Sequence, residues 1–274
     1  KNQLLFSENG RVLFGHLKEE IKTQLGSKFY SDEGHFIFRK TNKNKEIYAH
    51  LDVAPLGYLS IAAHGHSDIL SFLIHVNGNP FFIDSGTYSY HTEKKWRKYF
   101  VSSTAHNTIT LDGENQAYQA SDTMWLNHYK PKVISCVQEG NIERVVGKYN
   151  QKSNVQHIRS FEFNKKINEF LIEDNIIIKD NKEHKIFIPF HLHPTIHIIN
   201  NTITNYTLSH ASGATVSLHL DDQLKWNLVR GSAEPLLGWY SESFMKKEPT
   251  SVVFGEMIVK ESLKIVTRIK ATEY

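Results

Sequence analysis

Side chains that bind metals or transfer protons are concentrated between positions 64 and 108 of the sequence. Residues 64–68 read His-Gly-His-Ser-Asp, residues 84–90 carry an aspartate and two tyrosines, residues 96–97 are Trp-Arg, and residues 105–108 read Ala-His-Asn-Thr. Imidazole and carboxylate groups can ligate a divalent cation, and imidazole or phenol groups can transfer protons when their pKa lies near neutrality. This segment is therefore the candidate site for metal binding, acid–base catalysis, or both.

The spacing of these residues leaves their roles open. His64 and His66 lie on the same side if the chain is an extended strand, and Gly65 also permits a turn from which both point inward. A His-x-His pair can equally be two hydrogen-bonded polar side chains. The same holds for Tyr88 and Tyr90, which can be aromatic packing residues with satisfied hydroxyl groups.

The elements that must position these residues are predicted to be strands. Short apolar or alternating runs separated by turn residues occur at 36–39, 69–76, 81–83, 108–111 and 186–190. Such runs are typical of antiparallel sheets with one solvated face. We therefore predict an all-β fold: a large antiparallel β-sandwich of two stacked multi-stranded sheets, with little helix.

Two turn signals and one helical signal refine this prediction. Asn77-Gly78 and Asp112-Gly113 readily adopt the positive φ angles of tight hairpins, so strands next to them are expected to pair with their sequence neighbours. Residues 11–26 place Leu17, Ile21 and Leu25 at helical spacing before Gly26, which predicts one short helix there.

Composition narrows the classes of protein to which the chain can belong. Its 274 residues carry 32 Lys plus Arg and 29 Asp plus Glu, a net charge of +3, which lacks the cationic excess of a nucleic-acid binder. The single cysteine, Cys136, excludes an internal disulfide and is expected to be a packed residue. No apolar run is long enough to cross a bilayer, and no repeat or low-complexity linker divides the chain. We expect one domain over residues 35–274, with residues 1–34 as a lead-in from an upstream domain.

Several motifs in a fixed order carry a resemblance to a known family. Between positions 64 and 116 the chain reads His-Gly-His-Ser-Asp-x-Leu-Ser-Phe, then x-Asn-Gly-x-Pro, Asp-Ser-Gly-Thr-Tyr-x-Tyr, Trp-Arg-x-Tyr-Phe, Ala-His-Asn-Thr and Asp-Gly-x-x-Gln. This series is similar to the signature of heparinase II/III-like polysaccharide lyases. Flanking pieces at 54–57, 157–159, 238–241 and 247–249 also resemble that family, so the resemblance covers roughly residues 35–255.

The resemblance implies an activity and a domain partner. Family members join an N-terminal (α/α) toroid to a C-terminal β-sandwich and cleave uronic-acid polysaccharides by β-elimination. The chain resembles the second part, so the missing upstream toroid domain would precede residue 35 and an anionic, uronate-containing polysaccharide would be the substrate. The family's principal Tyr base, with its His and Asn partners, lies in the toroid, which implies low activity for the chain alone. The family also favours a periplasmic or secreted location.

The resemblance also assigns residues. It implies a zinc ion of mainly structural role, which braces loops at the active cleft and is bound by His66, Asp84 and His106. It implies catalytic roles for His64 and for Tyr90, with Tyr88 as the competitor. Tyr88, Trp96 and Arg97 are candidate substrate-binding residues, although a Trp in such a run is equally often a core residue. Asn107 is expected to brace its loop through hydrogen bonds to the backbone.

One feature of the spacing opposes the metal site. A two-residue turn at Asn77-Gly78 places Asp84 opposite Ser71, and an extended chain from 66 to 71 would hold His66 about 16 Å away. Residues 64–68 must therefore fold back for the site to form, which Gly65 permits. Asp68 is closer in register and is the alternative ligand or a capping residue.

The substrate and the reaction class have alternatives. Where many relatives have Arg after the Tyr-Phe pair, this chain has Val101, so a cationic contact to uronate or sulfate is missing and an alginate-like or bacterial surface polysaccharide fits as well as heparan sulfate. A non-catalytic carbohydrate-binding or scaffold module is the second hypothesis. A metal-dependent hydrolase using His64, His66 and Asp84 is the third and weakest, because no acidic pair suited to glycoside hydrolysis stands out.

Overall fold

The computed structural model describes residues 26–43, 45–152 and 154–272. These residues form mainly β-strands, which are, in chain order, β1 (Lys28–Tyr30), β2 (His35–Asn42), β3 (Lys45–Asp52), β4 (Phe72–Val76), β5 (Asn79–Phe82), β6 (Thr110–Leu111), β7 (Tyr118–Gln119), β8 (Trp125–Leu126), β9 (Lys132–Glu139), β10 (Ile142–Lys152), β11 (Val155–Asn164), β12 (Glu169–Ile178), β13 (His184–His191), β14 (His197–Asn201), β15 (Asn205–Ser209), β16 (Thr215–His219), β17 (Lys225–Arg230), β18 (Ser232–Ala233), β19 (Leu236–Leu237), β20 (Trp239–Ser243), β21 (Lys246–Pro249), β22 (Ser251–Val259) and β23 (Leu263–Thr272). Helix in the described residues is limited to α1 (Lys94–Phe100) and a 3₁₀ turn at Ser103–Ala105.

Three sheets form the body of the domain. The first has the order β1-β2-β3-β4-β5, the second β14-β15-β16-β23-β12-β11-β10-β9, and the third β17-β22-β13-β6. Every pair of strands in them is antiparallel, and β7-β8, β18-β19 and β20-β21 form two-stranded ribbons beside them. The predicted all-β antiparallel sandwich with little helix is confirmed.

The three sheets meet around the side chain of Phe72, at the start of β4. Its ring lies 5.5 Å from that of Phe161 in the second sheet and 6.1 Å from that of Phe190 in the third. Phe161 and Phe190 have no exposed surface, and Phe72 is 3% exposed. Alternating strand residues thus supply one continuous core. The loop between Asp52, at the end of β3, and Phe72, at the start of β4, connects two strands of this core.

Both turn predictions are confirmed in backbone conformation, because Asn77, Gly78, Asp112 and Gly113 all have positive φ angles. Asn77-Gly78 joins β4 to β5 as a hairpin, although a register shift follows the first two pairs. Asp112-Gly113 makes a tight turn bridged by Leu111 and Glu114, but β6 before it pairs in a sheet with the distant β13 and not with the next strand. Both residues of β6 are buried.

Three smaller predictions have different outcomes. The helix predicted for 11–26 lies outside the described residues except for Gly26. Within the lead-in, β1 pairs with β2 and so belongs to the first sheet. The prediction for Cys136 was wrong: it lies on β9 at the edge of the second sheet and is exposed, since the burial pattern there leaves most side chains in solvent. In the described part of the chain, no helix has the length and apolar character needed to cross a membrane.

Candidate metal centre and adjoining cleft

The loop that contains His64 and His66 folds back instead of continuing the direction of β4. His64 and Leu70 both have positive φ angles, of 60° and 62°, and the strand begins only at Phe72 rather than at 69 as predicted. Ser67 N–H donates to the carbonyl of Val101 at 2.9 Å, which ties the loop to the end of α1. A Cβ atom on Gly65 would lie 2.9 Å from Gly57 Cα, so this close approach requires glycine.

This fold-back removes the spacing objection to the site. Asp84 follows β5, and its carboxylate accepts a hydrogen bond from Gly86 N–H at 2.7 Å. The register shift in the β4–β5 hairpin sets Phe82 opposite Ile74, one position away from the unshifted register used in the sequence estimate. His106 follows the 3₁₀ turn Ser103–Ala105.

Four side chains converge at this point, and we name them the histidine–aspartate cluster: His66, Asp68, Asp84 and His106. One potential ligand atom from each lies within 4.8 Å of the others. His106 Nδ1 lies 2.7 Å from Asp84 Oδ2, and the His66 and His106 rings are 5.3 Å apart. The three residues that the resemblance assigned to a metal therefore stand together, with Asp68 as a fourth.

The electrostatics of the cluster leave its two carboxylates in opposite states. Burial raises the pKa of Asp68 to about 8, and the negative charges of Asp52 and Asp84 add to the shift against the charge of His106. Burial also opposes ionisation of Asp84, but the charge and hydrogen bond of His106 outweigh it and hold the pKa of Asp84 well below its usual range. The Asp84 side chain is 42% exposed, so its carboxylate can be reached from solvent.

The pKa values of the two imidazoles also shift in opposite directions. Burial, followed by the nearby charge of His106, lowers the pKa of His66 to about 4, so His66 is neutral at pH 7. Burial opposes protonation of His106 too, but Asp84 overcomes it and raises the pKa of His106. His106 has no exposed surface, and its Nε2 has no hydrogen-bond partner within the described residues. Two imidazoles and two carboxylates are the nitrogen and oxygen donors that suit a Zn²⁺-type divalent cation.

Asn107 holds the chain segments next to the cluster through hydrogen bonds to the backbone, as the sequence analysis predicts. Its side-chain amide donates to the carbonyls of Phe72 and Ile83, at 2.8 and 3.0 Å. Its side-chain oxygen accepts from His191 N–H at 2.7 Å. One buried side chain thus joins β4, the residue before Asp84 and β13, and it fixes the neighbouring His106.

A second buried network holds the same loops from the second sheet. Residues 157–159 form one of the flanking motifs of the resemblance, and no role was predicted for them from the sequence. We name it the Arg159 network: His157, Arg159 and Asp174. Arg159 Nη1 donates to the carbonyls of Leu70 and Asn107, both at 2.6 Å, while its Nε and Nη2 bind the two Asp174 oxygens at 2.7 and 2.9 Å. His157 Nε2 lies 2.6 Å from Asp174. The available signal was the register of the hairpin, because Arg159 and Asp174 are directly opposite each other on β11 and β12.

His64 and Tyr90 stand next to each other at the rim. His64 is exposed, Tyr90 is half-buried, and their rings meet edge to face with centroids 5.2 Å apart. A cavity of about 380 Å³ adjoins His64 and is lined also by His66 and Asp68. Its far wall is formed by His35, Asp52 and Tyr129, which sequence reasoning missed because they come from β2, the end of β3 and the loop before β9.

Of the three candidate substrate-binding residues, Arg97 contacts the Tyr90 ring, while Tyr88 and Trp96 pack against each other. Arg97 has no exposed surface: its guanidinium carbon lies 4.6 Å from the centre of the Tyr90 ring, and its Nε donates to the carbonyl of Asp122 at 2.8 Å. Tyr88 is 4% exposed, and its hydroxyl donates to Glu93 at 2.7 Å. Trp96 is half-buried and packs on the ring of Trp239. Neither Tyr88 nor Arg97 presents free surface to the cleft.

Comparisons with known proteins agree on one family. The sequence model described as heparinase II/III-like, C-terminal, matches residues 22–271, a wider span than the motifs alone suggested. No curated protein matches the sequence significantly. Among solved structures, the heparinase III BT4657 gene product superposes with a TM-score of 0.77 at 20% identity over 97% of this chain and 39% of its own. Heparan sulfate lyase HepC from Pedobacter heparinus gives 0.76 at 18% identity, over 97% of this chain and 40% of its own.

These matches establish the fold and the family, while the chain spans about two fifths of the length of the lyases it resembles. A further structure, 4-alpha-glucanotransferase from Thermococcus litoralis, shares the fold more loosely, with a TM-score of 0.51 at 9% identity over 92% of this chain and 40% of its own. The family match covers nearly the whole described sequence, including every residue of the histidine–aspartate cluster. The chain belongs to the family of heparinase II/III-like C-terminal domains.

Proposed function

We propose that this chain is the β-sandwich part of a polysaccharide lyase that cleaves uronate-containing glycans by β-elimination. The observation that carries the proposal is the convergence of His66, Asp84 and His106 in a chain of this family. The exposed His64 and the half-buried Tyr90 lie beside this cluster. Heparinase III and heparan sulfate lyase HepC, whose structures it resembles, are polysaccharide-cleaving proteins by name. An upstream toroid reached through residues 1–34 would complete the cleft, since this chain spans two fifths of those proteins.

β-Elimination defines the work of the residues at the rim. The uronate carboxylate must be neutralised, the acidic C5 proton removed and the departing O4 oxygen protonated. His64 is exposed at the cavity and the half-buried Tyr90 packs against its ring, so we assign these two proton-transfer groups to the reacting sugar. Tyr88 is the weaker candidate because its hydroxyl is shared between Glu93 and Lys247.

The histidine–aspartate cluster is proposed to hold one Zn²⁺ ion. His66, Asp84 and His106 would be ligands, and Asp68 is the nearest side chain for the fourth position. A bound zinc ion would neutralise the two carboxylates and fix three loops at the rim of the cleft. Because four protein ligands leave no open position, the role that fits this donor set is structural.

Arg97 would contribute to substrate binding by holding the Tyr90 ring, against which its guanidinium packs. Tyr88 is buried against Trp96 and Phe100. Trp96, which keeps some exposed surface, remains a candidate for direct sugar contact. Val101 has no exposed surface, so no contact to sulfate or uronate comes from this position. An unsulfated uronate glycan therefore fits this chain as well as heparan sulfate does.

The test follows the absorbance of the unsaturated uronate product. Heparosan, heparan sulfate and alginate are incubated with the chain and with the longer gene product that contains it. We expect turnover of at least one glycan by the longer product and little by the chain alone. His64→Ala and Tyr90→Phe should each lower turnover by about a hundredfold or more, the usual contribution of a positioned acid or base.

Three outcomes would overturn this assignment. Parental turnover in both variants would remove His64 and Tyr90 from the reaction. Products whose mass includes an added water would indicate hydrolysis instead of elimination. Absence of turnover on all three glycans by the longer product, with glycan binding retained, would favour a carbohydrate-binding module.

A further inference from the structure

An aromatic turn outside the motifs of the sequence analysis lies beside the proposed catalytic pair. Phe244 and Met245 form the tip of the β20–β21 hairpin and are 58% and 45% exposed. The Phe244 ring lies 6.1 Å from the Tyr90 ring with the two planes tilted by 31°. Tyr90 in turn contacts the ring of His64. The exposed ring of Phe244 thus extends the row formed by His64 and Tyr90.

The hairpin is held in this position by the loop that carries Tyr90. Ser241 N–H donates to the carbonyl of Ser85, and Met245 N–H donates to the carbonyl of Tyr88, both at 2.8 Å. Lys247 Nζ donates to the Tyr88 hydroxyl at 3.0 Å. A Cβ atom on Gly86 would come within 2.2 Å of the Ser241 carbonyl oxygen, so this close contact depends on glycine. The position of Phe244 relative to Tyr90 is therefore built into the fold.

The exposure of Phe244 is not explained by packing within the described chain. Trp239 on the same hairpin packs against Trp96, with ring centres 5.0 Å apart, so the hairpin already has an anchoring aromatic residue. A large aromatic side chain held rigidly in solvent at the edge of a cleft is typical of a binding surface.

The charges around the turn indicate the kind of ligand. The outward residues of α1, which adjoins the loop of Tyr90, include the exposed lysines 94, 95 and 98. The half-buried Lys247 places its ammonium group 4.4 Å from the ring centres of both Tyr88 and Trp96. These lysines lie on α1 and on the hairpin, both of which adjoin the Tyr90 loop. Positive charge together with an exposed aromatic ring suits a ligand that combines apolar C–H faces with negative charge, as a uronate glycan does.

We propose that the Phe244–Met245 turn is a stacking platform for a sugar ring of a uronate glycan, next to the ring on which His64 and Tyr90 act. The inference rests on the proposed function and adds a binding subsite to it. The C–H face of a pyranose would pack on Phe244, while the lysines of α1 would lie near its carboxylate. Phe244 is thus a binding residue that sets the position of the glycan and takes no part in proton transfer.

The test measures binding by the chain itself, with unsulfated heparosan and alginate hexasaccharides as probes in calorimetric titrations. Phe244→Ala should weaken the affinity for the bound hexasaccharide by about tenfold, since stacking and apolar contact on one ring are removed. Phe244→Trp should stay within about twofold of the parent, because it restores an aromatic face. Ile203→Ala is the matched control: Ile203 is an apolar turn residue with 77% exposure in the β14–β15 turn, and its loss should leave binding unchanged.

The outcomes separate this inference from the proposed function. Parental affinity in Phe244→Ala, or no binding of either hexasaccharide by the parent chain, would overturn the platform. If the longer gene product forms unsaturated product and Phe244→Ala leaves its KM unchanged, the platform is wrong and the lyase assignment stands. If no unsaturated product forms but Phe244→Ala still weakens binding, the platform stands and the lyase assignment is wrong.

Discussion

The Arg159 network and the histidine–aspartate cluster both collect imidazoles and carboxylates inside the same domain, and they balance charge differently. In the Arg159 network one guanidinium faces one carboxylate, and His157 completes the set of hydrogen bonds. In the cluster two carboxylates face two imidazoles and no lysine or arginine forms an ion pair with them among the described residues. Protein atoms alone satisfy the Arg159 network, whereas the proposed Zn²⁺ would complete the donor set of the cluster.

The pKa values of the two groups express the same difference. Burial opposes ionisation of Asp174, yet Arg159 and His157 lower its pKa to about 2. In the cluster the pKa of Asp68 rises to about 8, because burial and the neighbouring carboxylates outweigh the charge of His106. A carboxylate with a raised pKa beside other potential ligand atoms is a candidate for ligand binding, whereas one held ionised by a guanidinium is balanced within the fold.

The largest expected effect comes from removing the guanidinium group of Arg159. Arg159→Leu would leave Asp174 buried without its main partner and release the carbonyls of Leu70 and Asn107. We expect the free energy of unfolding, measured by urea titration, to fall by about 3–5 kcal/mol. Arg144→Ala is the control on the adjacent strand: its Nε lies 3.7 Å from Glu162 and its side chain is 45% exposed.

That control should lose less than about 1 kcal/mol, as is usual for an exposed pair. Equal losses in Arg159→Leu and Arg144→Ala would contradict the view that the Arg159 network holds the loops. Arg159→Leu combined with Asp174→Leu should recover part of the lost stability, because no unpaired charge then remains buried.

The second prediction concerns the cluster and its cation. Free zinc at about a hundred times its dissociation constant should raise the free energy of unfolding by about 3 kcal/mol, because the ion binds the folded chain alone. A chelator should reverse the increase, and elemental analysis should find about one zinc per chain. His106→Ala should abolish both responses, since it removes a ligand with no exposed surface.

His184→Ala provides a matched control for this measurement. His184 is also a buried histidine between two carboxylates, with Asp112 at 2.9 Å and Asp180 at 3.0 Å, but it does not belong to the histidine–aspartate cluster. Its loss should leave the zinc response intact. A zinc response that survives His106→Ala, or disappears with His184→Ala, would place the ion elsewhere.

The features that could be predicted from the sequence are those with local signals or with motifs that resemble the family. Alternating runs and the Asn77-Gly78 turn predicted an antiparallel sandwich, because both signals are local. The motif residues His66, Asp84 and His106 were identified through the resemblance. The fold-back that brings them together depends on positive φ angles at His64 and Leu70, a conformation that is uncommon for residues other than glycine and especially for leucine.

Long-range pairing accounts for what was missed. Arg159 acts on Leu70 and Asn107, which lie 89 and 52 positions earlier, so no local pattern links them. The pairing of β6 with β13 joins residues 110–111 to 186–187, against the hairpin expected at Asp112-Gly113. Phe244 reaches Tyr90 through a hairpin more than a hundred residues away in sequence, which spacing arguments do not connect.

The third and smallest expected effect is a pH dependence of the free energy of unfolding, which arises in the Arg159 network. The pKa of Asp174 is about 2 in the folded chain, below the value of about 3.9 expected when unfolded, so the unfolded state binds its proton first as pH falls. The stabilisation is therefore complete above about pH 4 and is lost towards pH 2, an effect of about 2–3 kcal/mol. Burial, opposed by Asp174, also lowers the pKa of His157 in the folded chain. The free energy of unfolding therefore begins to fall when the pH drops below the usual histidine pKa of about 6.5, where the unfolded state binds the proton first.

Urea titrations of the chelator-treated chain at steps between about pH 6 and pH 2 would measure both losses. Asp174→Asn removes the titrating group, so its stability, although lower overall, should fall less steeply below about pH 4 than that of the parent. Parallel curves for parent and variant would mean that Asp174 keeps an ordinary pKa. The Arg159 network would then not be balanced internally, and the distinction from the histidine–aspartate cluster would disappear.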